Sequence, residues 1–437
     1  MGNHRVRKAL TYLPLILLIA LGARLAFVWD QQRKIPHDIL ASVPFQQETG
    51  NIAASLAEGR GFSSVFRQDT GPTAWLAPAY PLLVSLVFKC FGVFTIHSFF
   101  ACVFLNVFFS TAACIPIFHA GKRVASVAVG AAAAWLWAVF PNAVMVPFEW
   151  IWDTSLSALL AATLLWSTLR LAESSRLRDW SLYGLLWGLS LLTNPALGSL
   201  LPFLLGWAWL RARRQTAVPV SRPALALLLI ILCCAPWTIR NYFVFHRFIP
   251  LRSNFSFELW LGNNDAYDLH APNTRTRITL YEEIRRYRQL GETQFMQEKR
   301  QKAIQFIRSH PQLELQLTSR RFLATWIGLE YPLRDFFRTD SLLVRSLLII
   351  NLITAVGVVI GIAVLYGTRS AFALPLAAFA IVFPCLYYVT HASLRYRHPV
   401  DPILLLLFVI AAVRVAKLLR RIPTSLRSRV ESSTSKP

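Results

Sequence analysis

Three acidic side chains stand at the ends of hydrophobic blocks, where they could take part in proton transfer. Glu48 heads a run that reads as a short helix over 49–58, Asp153 directly precedes the apolar block that begins at Thr154, and Glu149 lies four residues before Asp153. A carboxylate can accept the proton of a hydroxyl group, so all three are candidates for a general base. The alternatives are structural, since Glu48 would complement a helix dipole and Asp153 would cap its helix. The aromatic neighbours of Glu149 could raise its pKa, or the side chain could be solvated.

The stretch after Glu48 is rich in turn-forming and aromatic residues. Asp69 stands two residues before Gly71, a pattern typical of an Asx turn. Trp75 and Tyr80 follow among prolines. Loops held by rigid elements often carry binding residues, so we expect this loop to position a substrate.

Basic residues cluster at two further block ends. Arg240 follows one apolar block, and Arg395, Arg397 and His398 precede the last one. The planar guanidinium fork binds two phosphate oxygens at once, so these positions favour a phosphate site. The alternative is contact with ordinary lipid headgroups. Two arginines and a histidine this close together favour the specific anion site.

The composition is that of a membrane protein with several spans. Of 437 residues, 55% are hydrophobic and 15% are charged, whereas soluble domains carry about 25% charged residues. The net charge of +23 is spread in short clusters between apolar blocks, as in cytoplasmic loops that follow the positive-inside rule. No nucleic-acid-binding motif accompanies the charge, so we exclude nucleic acid as a partner. The six cysteines have neither metal-ligand nor disulfide-framework spacing.

The apolar blocks predict an all-α polytopic membrane protein of about ten crossings with both termini in the cytoplasm. The predicted crossings are 10–28, 98–118, 124–140, 154–171, 180–193, 196–210, 224–237, 341–366, 371–390 and 400–415. The predicted parts are an N-terminal transmembrane module, 1–240, with catalytic outer loops 29–97 and 141–153, a periplasmic helical segment, 241–340, C-terminal spans, 341–416, and a basic cytoplasmic tail, 417–437.

The segment 241–340, called the outer segment below, is predicted to be a small helical subdomain. Apolar residues recur at helical spacing over 279–290 and 292–308. Pro311 separates these two helices from a further amphipathic helix that reaches Trp326.

The order of several short motifs resembles one class of membrane enzyme. The motifs are Gly59-Arg60-Gly61-Phe62, Gly71-Pro72-Thr73-Ala74, Pro78-Ala79-Tyr80-Pro81, Pro236-Trp237-Thr238-Ile239-Arg240-Asn241-Tyr242, Arg252-Ser253-Asn254-Phe255, Glu258-Leu259-Trp260-Leu261-Gly262-Asn263-Asn264 and Arg395-Tyr396-Arg397-His398-Pro399. With an acid in the first outer loop, this order resembles the GT-C class of polyprenyl-phosphate-sugar-dependent glycosyltransferases. Within that class the chain is similar to glycosyltransferase family 39, which includes protein O-mannosyltransferases and aminoarabinose transferases.

The resemblance implies a GT-C-like bundle with a donor cavity open to the outer leaflet. It implies that Glu48 deprotonates or orients the acceptor and that Asp153, or alternatively Glu149, is a second acid. The implied donor-phosphate ligands are Arg240, Arg395 and Arg397, next to His398, and the residues expected to position the acceptor or the loop are Asp69, Trp75 and Tyr80.

The implied donor is a polyprenyl-phosphate sugar, and the implied acceptor is an unspecified lipid, protein or glycan. No Asp-x-Asp motif occurs in the outer loops, so we expect no obligatory metal ion and no further cofactor. The implied location is the bacterial inner membrane, with the active site facing the periplasm. Two other functions stay open at this point: a flippase or transporter of lipid-linked sugars, and a non-catalytic scaffold in glycan assembly.

Overall fold

The computed structural model describes residues 12–36, 39, 47–66, 68–264, 277–328 and 341–420. Within these ranges the regular structure is helical, and the β-contact is an isolated bridge between Ser63 and Pro72. The predicted all-α class is therefore confirmed for the described part of the chain. Most of the predicted basic tail lies outside the described residues.

Helices follow one another along the chain, with short 3₁₀ turns at 195–200 and 398–400. In chain order the α-helices are α1 (Leu13–Gln32), α2 (Glu48–Ala57), α3 (Ala79–Phe91), α4 (Ile96–Ala112), α5 (Cys114–Val124), α6 (Val127–Val139), α7 (Pro141–Glu149), α8 (Thr154–Leu171), α9 (Leu177–Thr193), α10 (Leu201–Thr216), α11 (Ser221–Phe245), α12 (Phe255–Gly262), α13 (Arg277–Ser309), α14 (Pro311–Ile327), α15 (Leu342–Gly367), α16 (Ala373–Ile381), α17 (Cys385–Val389), α18 (Leu394–Arg397) and α19 (Asp401–Leu419).

Among the described residues, six helical stretches are long and apolar enough to cross a membrane, and a seventh qualifies if α6 and α7, which meet at a 44° bend, form one span. The six are Leu13–Gln32, Ile96–Val124, Thr154–Leu171, Ser221–Phe245, Val344–Gly367 and Leu394–Leu419. The other predicted crossings also coincide with helices, but α9 and α10 have only 17 and 16 residues and α16 and α17 are separate short helices. The organisation in several spans is confirmed, and the number ten stays a prediction.

A buried arginine in α1 holds the bend between α6 and α7. Pro141 has no N–H to donate to the carbonyl of Trp137, so the helix loses a hydrogen bond there. The Arg24 guanidinium donates to the carbonyls of Trp137 and Ala138 at 3.3 and 3.0 Å and to the Ser110 hydroxyl at 2.9 Å. Backbone groups inside a membrane need such partners, so Arg24 stabilises the broken helix that leads to Asp153.

Glycines bring α9 and α11 into close contact. A Cβ atom added at Gly184 would lie 2.6 Å from the carbonyl oxygen of Ala226, and one at Gly188 would overlap Cys233. Small residues let two helices in a membrane approach this closely. The contact fixes the position of Asn194, at the end of α9, relative to α11.

The outer segment packs onto the first outer loop. Its long helix, α13, consists of two helices that meet at Gly291, where φ is +71°, and α14 begins at Pro311, as predicted. Tyr287 and Phe295 of α13 share a buried apolar cluster with Trp75 of the loop. The outer segment and the first outer loop are therefore joined by packing.

Candidate active site

A cavity of about 330 Å³ lies where several helices end at the outer face, meaning the face predicted to lie outside the cytoplasm. Among the residues predicted from the sequence, Glu48, Asp153, Trp75 and Arg395 lie in its wall. The polar residues of the wall include Glu48, Asp153, Asn194, Arg252, Asn254, Glu258, Glu283, His391 and Arg395, and the aromatic residues include Trp75, Trp152, Phe257, Trp260, Tyr387 and Tyr396. Convergent polar groups in an aromatic-lined cleft are typical of a ligand site.

Glu48 is the first residue of α2 and is partly buried in the cavity wall. Its carboxylate makes no hydrogen bond or ion pair with any residue that the structure describes. As predicted, α2 stops just before Gly59, which has a φ of +81°. Glu48 is therefore available to a substrate hydroxyl group.

Asp153 occupies the N-cap position of α8, but its side chain does not cap the helix backbone. Its Oδ2 instead accepts a 2.8 Å hydrogen bond from the Ser157 hydroxyl, and the carboxylate lines the cavity. The capping explanation is therefore wrong for this side chain. Burial raises the pKa of Asp153, while the Ser157 hydroxyl and the guanidinium groups of Arg252 and Arg395 act in the opposite direction.

Arg395 and Arg252 bring two guanidinium groups to the same cavity. The Arg395 guanidinium carbon lies 3.2 Å from the ring centroid of Trp152 and 4.8 Å from that of Tyr396. Cation–π contacts hold the plane of the group, so its N–H edge can still donate to an anion. Arg252 makes no hydrogen bond within the described part of the chain. Both arginines are therefore able to bind a phosphate.

Arg397 and His398 lie inside the helix bundle rather than in the cavity wall. The Arg397 Nε donates to Asp401 Oδ1 at 2.7 Å, and its Nη2 donates to Asn351 Oδ1 at 2.7 Å. His398 is 1% exposed, packs 5.2 Å from the Trp137 ring and lies 3.5 Å from Asp401 Oδ2. The structure therefore does not bring these two predicted phosphate ligands to the site, because both side chains pack among buried residues.

Arg240 also points away from the cavity wall. It donates hydrogen bonds to the carbonyls of Thr73 and Phe62 at 2.7 and 2.8 Å. Its guanidinium group stacks on the rings of Phe62 and Trp237, with the carbon 5.7 and 5.0 Å from their centroids. Arg240 thus ties the first outer loop to the end of α11, which is a structural contact rather than a phosphate contact.

The remaining predicted positions lie outside the cavity wall. Glu149 is the last residue of α7 and is exposed. Asp69 is exposed as well, and its Oδ1 accepts a 3.1 Å hydrogen bond from the Gly71 N–H, which confirms the Asx turn. Tyr80 is buried in α3 and donates to Asn106 Oδ1 at 2.8 Å.

Two residues were given no role in the sequence analysis. Arg252 begins the motif Arg252-Ser253-Asn254-Phe255, which carries part of the resemblance, and the structure places it in the cavity wall. Glu292 is 5% exposed and binds the first outer loop. Its signal was a carboxylate between the apolar positions Tyr287 and Phe295 of a predicted helix.

No group of three or more His, Cys, Asp or Glu side chains among the described residues is arranged to hold a metal ion. Metal and cofactor independence stays a prediction from the sequence.

Three comparisons relate this architecture to known proteins. Residues 75–239 match the family model of dolichyl-phosphate-mannose-protein mannosyltransferases, which covers less than half of the chain. The structure resembles the oligosaccharyltransferase AglB of Archaeoglobus fulgidus solved with an inhibitory peptide and a dolichol-phosphate, with a TM-score of 0.53, 14% identity and coverage of 97% of this chain and 52% of that one. The chain has the GT-C fold.

An oligosaccharyltransferase of Archaeoglobus fulgidus solved in complex with Zn and sulfate gives a TM-score of 0.51 at 14% identity, with coverage of 96% of this chain and 51% of that one. This chain therefore spans about half the length of the solved structures that it matches. No curated protein sequence matches it. The GT-C class indicated by the motifs is confirmed, while membership of family 39 stays a prediction.

Proposed function

We propose that this GT-C protein transfers a sugar from a polyprenyl-phosphate donor to an acceptor hydroxyl group at the periplasmic face of the bacterial inner membrane. The observation that carries the proposal is the convergence of two carboxylates, Glu48 and Asp153, and two guanidinium groups, Arg252 and Arg395, on one cavity at the outer face. The match of 75–239 to mannosyltransferases supports it. So does the dolichol-phosphate bound to the archaeal enzyme of the same fold.

The arginines bind the phosphate of the donor. Arg395 is held flat between aromatic rings, and Arg252 approaches from the segment that precedes α12. Negative charge builds up on the phosphate as its bond to the sugar breaks, and two fixed cations stabilise that charge. Asp153 keeps the two guanidinium groups in the cavity through its charge before the donor arrives.

Glu48 is the general base. Its carboxylate removes the proton of the acceptor hydroxyl while the acceptor oxygen attacks the anomeric carbon. The bond between that carbon and the phosphate oxygen breaks, and its electron pair leaves with the polyprenyl phosphate. The proton ends on Glu48, and the configuration of the sugar is inverted because the attack comes from the face opposite the phosphate.

A transfer assay tests the function. Purified protein is incubated with a panel of radiolabelled polyprenyl-phosphate sugars, beginning with the mannose derivative, and with a membrane extract as acceptor. We expect label to move from one donor into an extractable product. Movement of the labelled lipid across liposomes, with no sugar transferred from any donor, would replace the transferase with a flippase. Binding without either activity would favour a scaffold.

A further inference from the structure

Glu292 is a buried carboxylate that the proposed reaction does not use. It lies on α13 directly after the break at Gly291 and is 5% exposed. Its two oxygens accept four hydrogen bonds. The donors are the Thr73 hydroxyl, the Ala74 N–H at 2.8 Å, the Ser253 hydroxyl at 2.7 Å and the Tyr287 hydroxyl at 2.8 Å.

These donors come from three segments that are far apart in the sequence. Thr73 and Ala74 belong to the first outer loop, Ser253 precedes α12, and Tyr287 belongs to α13. A buried carboxylate is costly unless it is fully hydrogen-bonded, so the four donors must stay in place together. Glu292 therefore fixes these segments relative to one another.

Two direct partners of Glu292 are adjacent to residues of the cavity wall. The Thr73 hydroxyl, which donates to Glu292, also accepts a 3.0 Å hydrogen bond from the Trp75 N–H. Ser253 directly follows Arg252, and its own N–H donates to the Ala74 carbonyl at 2.8 Å. A displacement at Glu292 would therefore reach both Trp75 and Arg252.

Arg240 holds the same loop from the other side. It donates to the Thr73 carbonyl, whereas Glu292 accepts from the Thr73 hydroxyl. The opposite charges of Arg240 and Glu292 also attract each other. Residue 73 is thus held between an arginine of the transmembrane module and a glutamate of the outer segment.

We propose that Glu292 is a positioning residue for the transfer reaction, through which the outer segment sets the places of Arg252 and Trp75 in the donor cavity. The proposal rests on the proposed function. Glu292 does not touch the substrate, because each of its two oxygens already accepts two hydrogen bonds inside the protein.

The test compares substitutions at two glutamates of α13. Glu292→Ala removes the acceptor of all four hydrogen bonds, and we expect it to raise the KM for radiolabelled polyprenyl-phosphate mannose and to lower kcat/KM by about a hundredfold, the scale of a small misplacement in a site. Glu292→Gln should retain most activity, because its amide oxygen can accept from Ala74 and Ser253 while its NH₂ donates to the two other hydroxyls.

The matched control is Glu298→Gln, since within the described part of the chain Glu298 pairs with Arg286 and Lys302, both on the same helix. Its kinetic constants should equal those of the wild type. If Glu292→Ala does not fold, Tyr287→Phe removes a single donor, and a raised donor KM in that variant supports the proposal. Suppose that the wild type transfers sugar and that Glu292→Ala, or Tyr287→Phe where Glu292→Ala does not fold, has the same KM and kcat/KM as Glu298→Gln. That result overturns the positioning role and leaves the proposed function intact. If the wild type does not use the mannose derivative, the donor of the panel that it does use takes its place, and absence of transfer by the wild type from every donor of the panel overturns the proposed function itself.

Discussion

Arg395 and Arg397 belong to the same short helix, α18, yet their guanidinium groups lie in different parts of the molecule. Arg395 lies at the cavity against Trp152, whereas Arg397 is buried among α15, α14 and α19 through Asn351, the carbonyl of Trp326 and Asp401. Positions two residues apart on a helix point about 200° away from each other. One cluster of basic residues therefore supplies both a side chain that can bind the substrate and one member of a structural ion pair.

A basic residue at the end of a membrane helix can therefore either bind a ligand or form a buried ion pair, and its surroundings decide which. The cavity side keeps a cation available for a ligand by stacking it on aromatic rings. Inside the helix bundle, the charge of Arg397 is neutralised by an ion pair with Asp401, and the two side chains are 1% and 2% exposed. Only the first arrangement is suited to bind a phosphate that enters and leaves.

The largest expected effect is a loss of stability when Arg397, inside the helix bundle, is replaced. Arg397→Ala leaves the Asp401 carboxylate buried without its partner, and breaking such a pair costs about 3–5 kcal/mol. We expect a large drop in the unfolding temperature in detergent, with kcat per folded molecule close to that of the wild type. Arg414→Ala, on the exposed part of α19, the helix that carries Asp401, is the control and should unfold like the wild type. Equal unfolding temperatures for Arg397→Ala and Arg414→Ala would contradict the structural role.

The next effect is on activity, at the cavity side. Arg395→Ala removes a charge that stabilises the leaving phosphate, and we expect kcat for sugar transfer to fall about 10²- to 10³-fold. The unfolding temperature should change little, because a cation–π contact of a partly buried arginine is worth about 0.5–2 kcal/mol.

The control for Arg395 is Arg33→Ala. Arg33 also stacks on a tryptophan, with its guanidinium carbon 5.4 Å from the ring centroid of Trp29, but it lies outside the cavity wall. Equal rates of sugar transfer for Arg395→Ala and Arg33→Ala would contradict a role of Arg395 in binding the phosphate.

The smallest expected effect is a pH dependence from Asp153. Its pKa is raised by burial above the ordinary 3.8, so its carboxylate protonates at a higher pH than that of an exposed aspartate. Transfer should decline as the pH falls through the raised pKa, because neutral Asp153 no longer holds the charge of Arg252 and Arg395. The stability contribution has the opposite sign: it is present at low pH and is lost as the pH rises through the raised pKa.

Asp153→Asn checks both signs at once. The rate profile and the unfolding temperature are measured against pH for both proteins. The low-pH decline attributed to Asp153 should be absent in the variant, and the stability difference between the two proteins should change with pH in the direction given. Parallel pH profiles for the wild type and Asp153→Asn would contradict the role of Asp153 in the pH dependence.

Much of the fold was predictable because it depends on local patterns. Apolar length marks the spans, and glycine or proline marks helix ends, as at Gly59, Gly291 and Pro311. The Asx turn at Asp69 also follows from residues close in sequence. The bend at Pro141 adds a broken helix where the sequence predicts one span followed by a loop.

The site was predictable only in part, because it depends on contacts between distant segments. The motif order predicted Glu48, Asp153 and Arg395, which lie in the cavity wall, but it could not separate Arg395 from Arg397, since both are basic and lie at one helix end. It gave no reason for the buried position of Arg24. This arginine donates to the carbonyl of Trp137, which lacks its usual helical donor because Pro141, on another helix, has no N–H. Glu292 acquires its role only when the outer segment folds back onto the first outer loop.

The rate of sugar transfer in Glu48→Gln tests directly whether Glu48 is the general base. The wild type, Glu48→Gln and Glu58→Gln are compared with the radiolabelled polyprenyl-phosphate sugar that the wild type uses. Glu58 follows the same helix, is exposed and pairs with Arg60, so it carries the matched substitution. We predict that Glu48→Gln lowers kcat about 10²- to 10⁴-fold while remaining folded, and that Glu58→Gln behaves like the wild type. Full activity in Glu48→Gln would contradict the assignment of the base.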